Sequence, residues 1–183
     1  MKFLKGFTKE EKSWMMYDWA NSAESVIIVT ILPIFYDTIS ANSTAAINRW
    51  GYGTSFAMLV CALLAPLLGA LGDFKGMRKK LFFGFMATGV LACALLAFTP
   101  QMDVSSAAGS ERTGLIILAL YIICSIGHAG ANVYYDSFLT DVTTDERMDK
   151  VSTMGYGMGY IGGSTIPLVI FLVMNLIGLP MTT

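Results

Sequence analysis

The sequence predicts an all-α, multi-pass membrane protein, and three observations carry that reading. Apolar residues make up 55% of the 183-residue chain and charged residues only 14%, with a mean hydropathy of +0.61, which lies outside the range of soluble domains. Five apolar runs, over residues 14–36, 50–71, 81–99, 114–139 and 151–177, each have the length of a bilayer-crossing helix. Basic residues gather in alternate hydrophilic segments, the mark of a chain threaded back and forth through a membrane. The short alternating strands of a membrane barrel are absent, and backbone amides in lipid must bond internally, so the spans read as helices.

Residues 1–13 form a polar amino-terminal segment with four lysines, Lys2, Lys5, Lys9 and Lys12, and two glutamates. The apolar run that follows is too long for a signal peptide and lacks a small-residue cleavage site, so the first helix is expected to stay attached. That helix carries the stretch Tyr17-Asp18-Trp19-Ala20-Asn21-Ser22-Ala23-Glu24-Ser25. On a helical wheel Tyr17, Asp18, Asn21, Glu24, Ser25 and Ile28 share one face, and Trp19, Ala20, Ala23, Val26 and Ile27 take the other. A charge at mid-bilayer costs at least ~2.5–3.5 kcal/mol, so such a face belongs toward a bundle interior or an aqueous path. Asp18 has a plain alternative, capping or pairing at the membrane boundary. Glu24 lies ~15 Å beyond Trp14 at 1.5 Å per residue, too deep for that.

A short polar segment, 37–49, leads to the second span. Within it Asn42-Ser43-Thr44 has the form of a glycosylation acceptor, a triplet common by chance, and nothing is built on it. Trp14 and Trp50 open their spans where aromatic belts are expected. A tight basic loop, 72–80, joins the second span to the third, and a loop rich in Ser, Ala and Gly, 100–113, joins the third to the fourth. In the fourth span Tyr121, Ser125, His128, Asn132 and Tyr135 recur at helical spacing on one face. An intramembrane ionisable group is a functional candidate, and a hydrogen-bonded core histidine is the plain alternative for His128. A charged connector, 141–150, leads to the fifth span, where Gly155, Gly159 and Gly163 form a small-residue ridge suited to close helix packing. The membrane bundle is therefore assigned to residues 14–178, and 179–183 reads as a truncated end.

Ten of the twelve basic residues, Lys2, Lys5, Lys9, Lys12, Lys75, Arg78, Lys79, Lys80, Arg147 and Lys150, fall in segments on one side of this threading, against Arg49 and Arg112 on the other. The amino terminus is thus expected in the cytoplasm of a cell membrane, or facing the cytosol at a vacuolar membrane in a eukaryote. Cys61, Cys93 and Cys124 all sit in apolar runs without metal-ligand spacing and read as buried small hydrophobes. No nucleophile and base pair with each other, and no strand precedes the glycines, so neither an enzyme, a bound cofactor, a metal nor a nucleic-acid partner is expected.

Two stretches carry a resemblance. Gly69, Leu71, Asp73, Gly76 and Arg78 resemble the loop signature between the second and third helices of the major facilitator superfamily. Tyr17-Asp18-Trp19-Ala20-Asn21-Ser22-Ala23 is similar to the hallmark of its vacuole-effluxer-like branch, and the similarity continues through Pro33-Ile34-Phe35-Tyr36 and Val133 to Asp141. Glu24, Asp136 and Thr140 stand where that branch usually has an aromatic residue, Asn and Pro. The resemblance implies the amino-terminal half of a secondary carrier for a small polar solute such as an amino acid, with the first and fourth helices lining a central cavity. It implies twelve helices in a complete carrier, so this chain reads as an amino-terminal fragment, a truncated product or one piece of a split carrier awaiting its carboxy-terminal half or a second subunit. A non-transporting membrane interaction module is the competing reading.

The candidate solute or proton site comprises Asp18, Asn21, Glu24, Ser25, His128, Asn132 and Tyr135, with Glu24 and His128 expected at similar depth in one cavity. Asp73 and Arg78 are expected to latch the cytoplasmic face with Asp141 or Asp145.

Overall fold

The computed structural model describes residues 4–40 and 43–178; Lys2, Asn42 of the Asn42-Ser43-Thr44 triplet and the 179–183 end lie outside the described residues. Among the described residues the chain is helical without strands, and five helices are long and apolar enough to cross a membrane: Lys9–Ile39, Thr44–Gly72, Met77–Gln101, Ala107–Ser137 and Asp145–Leu176. The protein is an all-α polytopic membrane protein.

The first long helix opens with α1 (Lys9–Val26), whose start is set by a capping box. The Thr8 hydroxyl accepts from the Glu11 amide at 3.1 Å, and the Glu11 carboxylate accepts from the Thr8 amide at 2.8 Å. A π-helical turn, Ile27–Ile31, then passes into α2 (Leu32–Ile39). The second span is α3 (Thr44–Gly72), capped by the Ser43 hydroxyl and holding Pro66 within it. Gly76 turns the chain at a φ of +78°, a left-handed conformation that a side chain would strain, and α4 (Met77–Leu96) begins at the next residue. A 3-10 turn at Thr99–Gln101 ends the third long helix, and α5 (Ala107–Ser137) forms the fourth. A short α6 (Leu139–Val142) precedes the fifth, which runs as α7 (Asp145–Met158), a π-helical segment Gly159–Thr165, and α8 (Ile166–Leu176).

Both π segments end two residues before a proline, Pro33 and Pro167. A proline ring collides with the carbonyl four residues back and offers it no N–H, so widening the preceding turn relieves both problems without breaking the helix. The Thr165 hydroxyl marks the wider register by donating to the Tyr160 carbonyl, five residues back, at 2.8 Å.

The chain divides into two compact units, one holding residues 4–30 and 135–178, the other 31–134. In the first, α1 packs along α7 and the π segment that follows it. In the second, glycines set the approach of the helices. Gly89 and Gly127 meet backbone to backbone, Gly130 sits under the Phe85 ring, and Gly53 under Leu118. Cys124 is buried and donates to the Gly89 carbonyl at 3.5 Å, whereas Cys61 and Cys93 are only part-buried. Trp50 stacks between Tyr36 and Tyr121, with centroids 4.8 and 4.7 Å away. The Asp103 carboxylate orders the loop before α5 by accepting from the Ser105 amide and hydroxyl at 2.8 and 2.6 Å, bonds that hold its carboxyl below the usual carboxylate range.

Large apolar side chains such as Met58, Leu59, Leu63 and Leu67 on α3 point outward, as the lipid-facing side of a span requires. The buried Tyr134 hydroxyl instead donates inward to the Leu68 carbonyl at 2.8 Å, and its ring lies against Gly72. Tyr134→Phe is expected to lower stability by about 1 kcal/mol, read as a lower thermal midpoint in detergent, because a single neutral hydrogen bond is lost while the ring packing is kept.

Candidate functional site

In the first unit the candidate site residues of α1 lie beside the π segment of the fifth span. Asp18 and Ser22 lie one helical turn apart and both face Gly159 at the start of the π segment. A Cβ placed on Gly159 would fall 2.7 Å from the Ser22 hydroxyl and 3.0 Å from an Asp18 carboxylate oxygen, so the bare backbone is what admits these polar groups. The ridge continues on both sides. Gly155 lies against the Trp14 indole, Gly162 against the Trp19 indole, and Gly163 against the Trp19 carbonyl, the Ser22 Cβ and the Ala23 amide nitrogen. One face of the fifth span thus presents backbone alone to the residues of the Tyr17-to-Ala23 stretch.

Ser22 was not among the residues singled out from the sequence; those that were, Asn21, Glu24 and Ser25 beside Asp18, are half-buried. The Ser25 hydroxyl donates to the Asn21 carbonyl one turn back at 3.3 Å. Tyr135 is buried in an aromatic cluster. Its ring stacks on Trp14 at 4.7 Å and 13°, and meets Tyr17 at 4.7 Å and 37°. Two reciprocal bonds fasten that stack, from the Trp14 indole N–H to the Tyr135 carbonyl at 3.2 Å and from the Tyr135 hydroxyl to the Trp14 carbonyl at 3.3 Å.

In the second unit His128 and Asn132 are half-buried on α5. The backbone of His128 passes close to Gly89. The amide oxygen of Asn132 is buried and has no hydrogen-bond partner among the described residues, a costly state for a polar atom in a span. The residues of the loop signature, Gly69, Leu71, Asp73, Gly76 and Arg78, occupy the end of α3, the turn after it and the first turn of α4, with Asp73 as the residue that caps α3.

The strongest charge arrangement of the first unit was not singled out from the sequence. Glu11 is 1% exposed and is held by Arg147, Thr143 and the Thr8 amide. Half of it was legible: Thr8-x-x-Glu11 has the form of a capping box. Arg147 offered no such signal, since by sequence it is one of two basic residues, with Lys150, in a hydrophilic connector.

No family model matches the chain, and no solved structure matches it. It is 43% identical over 172 residues to a protein of Bacillus subtilis (strain 168) named Uncharacterized MFS-type transporter YxiO, an overlap that takes in 91% of this chain and 38% of that relative. It is 36% identical over 69 residues, 37% of this chain and 17% of the other, to a second protein of that organism, named Uncharacterized MFS-type transporter YuxJ. The chain therefore spans well under half the length of either curated relative. These likenesses to two proteins named as MFS-type transporters support the major facilitator superfamily.

Proposed function

We propose that the chain is the amino-terminal part of a secondary transporter of the major facilitator type, in its vacuole-effluxer-like branch, moving a small polar solute such as an amino acid. Further helices, in the same polypeptide or a second subunit, complete the bundle against which this part moves. The amino terminus faces the cytoplasm. The observation that carries the reading is the polar face of α1, where Asp18 and Ser22 lie on the bare backbone of Gly159.

The charge balance supports a solute with an amine. None of the five apolar runs contains a lysine or an arginine, yet Asp18, Glu24 and Asp136 all fall within them. Carboxylates in spans that hold neither lysine nor arginine suit a solute that brings its own positive charge, cationic or zwitterionic, or a proton. Asn21, Glu24 and Ser25 on the same helix, and His128, Asn132 and Tyr135 on the fourth span, are the further candidate contacts. The names of the two relatives support transport, and their greater length supports the missing helices.

The test is counterflow in proteoliposomes of the full-length protein, with radiolabelled lysine, leucine and glucose as probes. Lysine or leucine is expected to accumulate, and Asp18→Asn is expected to cut that uptake by about tenfold or more while the protein still elutes as a single species. Uptake of glucose alone sinks the amine-bearing class. Equal uptake by parent and variant removes Asp18 from the site.

A further inference from the structure

The transport reading makes no use of Glu11, although its carboxylate is fully bonded. One oxygen, Oε1, accepts from the Thr143 hydroxyl at 2.7 Å and from Arg147 Nε at 2.9 Å. The other, Oε2, accepts from the Thr8 amide at 2.8 Å and from Arg147 Nη2 at 2.8 Å. The same Nη2 also donates to the Gly6 carbonyl at 2.8 Å, and the guanidinium lies over the Phe7 ring, 5.8 Å from its centroid. Lys150 places its ammonium over that ring as well, at 5.4 Å. Leu4 and Phe7 are buried, and Gly6 makes the bend between them at a φ of +93°. Residues 4–11 are therefore bound to the start of α7 by a forked ion pair, a backbone bond and a ring held beneath two cations.

What lies deeper in the same unit gives this arrangement its meaning. One turn along α1 from Glu11, the Trp14–Tyr135 stack is fastened by its two reciprocal bonds, and Met15 beside it is wholly buried. One turn further sits Asp18. An ion pair, then an aromatic plug, then the candidate site follow one another along a single helix face.

We propose that residues 4–11 are a strap, latched by Glu11 on Arg147, that closes the approach to Asp18 from the amino-terminal end of α1, with the Trp14–Tyr135 stack as the plug beneath it. Water and solute reach Asp18 from that side only when the latch opens. The proposal rests on the transporter reading for its purpose, and its test does not depend on transport.

The test measures thiol labelling in the full-length protein. Cys61, Cys93 and Cys124 are replaced by alanine, a single cysteine is placed at Asn21 on the polar face of α1, and a membrane-impermeant methanethiosulfonate is applied from the side that holds the amino terminus. The latched protein is expected to label slowly. Glu11→Gln and Arg147→Gln are each expected to raise the rate about tenfold by populating the open strap. The double variant is expected to label no faster than either single one, because both open the same latch. Single variants that label at the parent rate overturn the proposal, and so does a double variant whose rate is the product of the two single effects. Thr143→Val removes one bond and spares the ion pair, and is expected to give a smaller rise. It serves as the deciding variant if the charge variants do not elute as folded protein, and no rise in it then overturns the proposal. A protein that carries none of the amine probes and still shows the labelling change loses the amine-transport reading and keeps the strap.

Discussion

Gly127→Ala is expected to lower stability by about 3 kcal/mol, the upper end of what overpacking costs, and to depress the thermal midpoint by roughly 6–12 °C. The reason is that the added methyl has no flexible neighbour to displace. Its carbon would stand 2.5 Å from the Gly89 amide nitrogen, 2.7 Å from the Gly89 Cα and 2.9 Å from the Phe85 carbonyl oxygen, all of them backbone. Only a movement of α4 away from α5 makes room, and that movement strips the Cys124 thiol from the Gly89 carbonyl and loosens the contact of Phe85 with Gly130. Gly84→Ala on α4, the helix of Gly89, is the control, because nothing lies within 4 Å of its Cβ position. There alanine is expected to be neutral or to add up to about 1 kcal/mol through helix propensity. Thermal denaturation in detergent, followed by size-exclusion chromatography, measures both. Equal midpoints for the two variants would show that α4 and α5 do not meet through these glycines.

Arg147→Ala is expected to cost about 2 kcal/mol. Removing one partner of a buried ion pair typically costs about 3–5 kcal/mol, and the smaller figure reflects water reaching an Arg147 side chain that is 38% exposed. Glu11, at 1% exposure, would keep a full negative charge with only the Thr8 amide and Thr143 hydroxyl to bond it. Removing both charges, as Glu11→Gln with Arg147→Met, is expected to cost less than Arg147→Ala alone, because no uncompensated charge remains. The same denaturation measurement decides it. A double variant less stable than Arg147→Ala means that the pair contributes a net attraction large enough to outweigh its desolvation.

The five helices were legible because lipid imposes a demand that local sequence must satisfy: some twenty apolar residues in a row, bounded by charges. A polar face on α1 was legible for the converse reason, that Asp18, Asn21, Glu24 and Ser25 break that demand at helical spacing, whereas Ser22, which meets Gly159 beside Asp18, was not picked out. The helices of the structure nonetheless begin before the apolar runs, at Lys9 and Asp145, since a helix continues into water when capping and charge suit it. The apolar run measures immersion, and the helix measures hydrogen bonding. The bond between Glu11 and Arg147 was not legible, because the two are 136 residues apart and nothing in either neighbourhood names the other. The two π segments were half legible. Pro33 and Pro167 announce a disturbance, yet a proline inside a span does not always widen the turn before it, as the unbroken α-helix around Pro66 shows.

The wide separation of Glu11 and Arg147 also bears on how the chain is made. The first span enters the membrane carrying Asp18 and Glu24, while Gly159, on which Asp18 comes to rest, and Arg147, which holds Glu11, have yet to be translated. At ~5–20 residues per second, the 136 residues between Glu11 and Arg147 take roughly 7–27 s to synthesise. For that interval the most polar helix of the bundle lacks its partner.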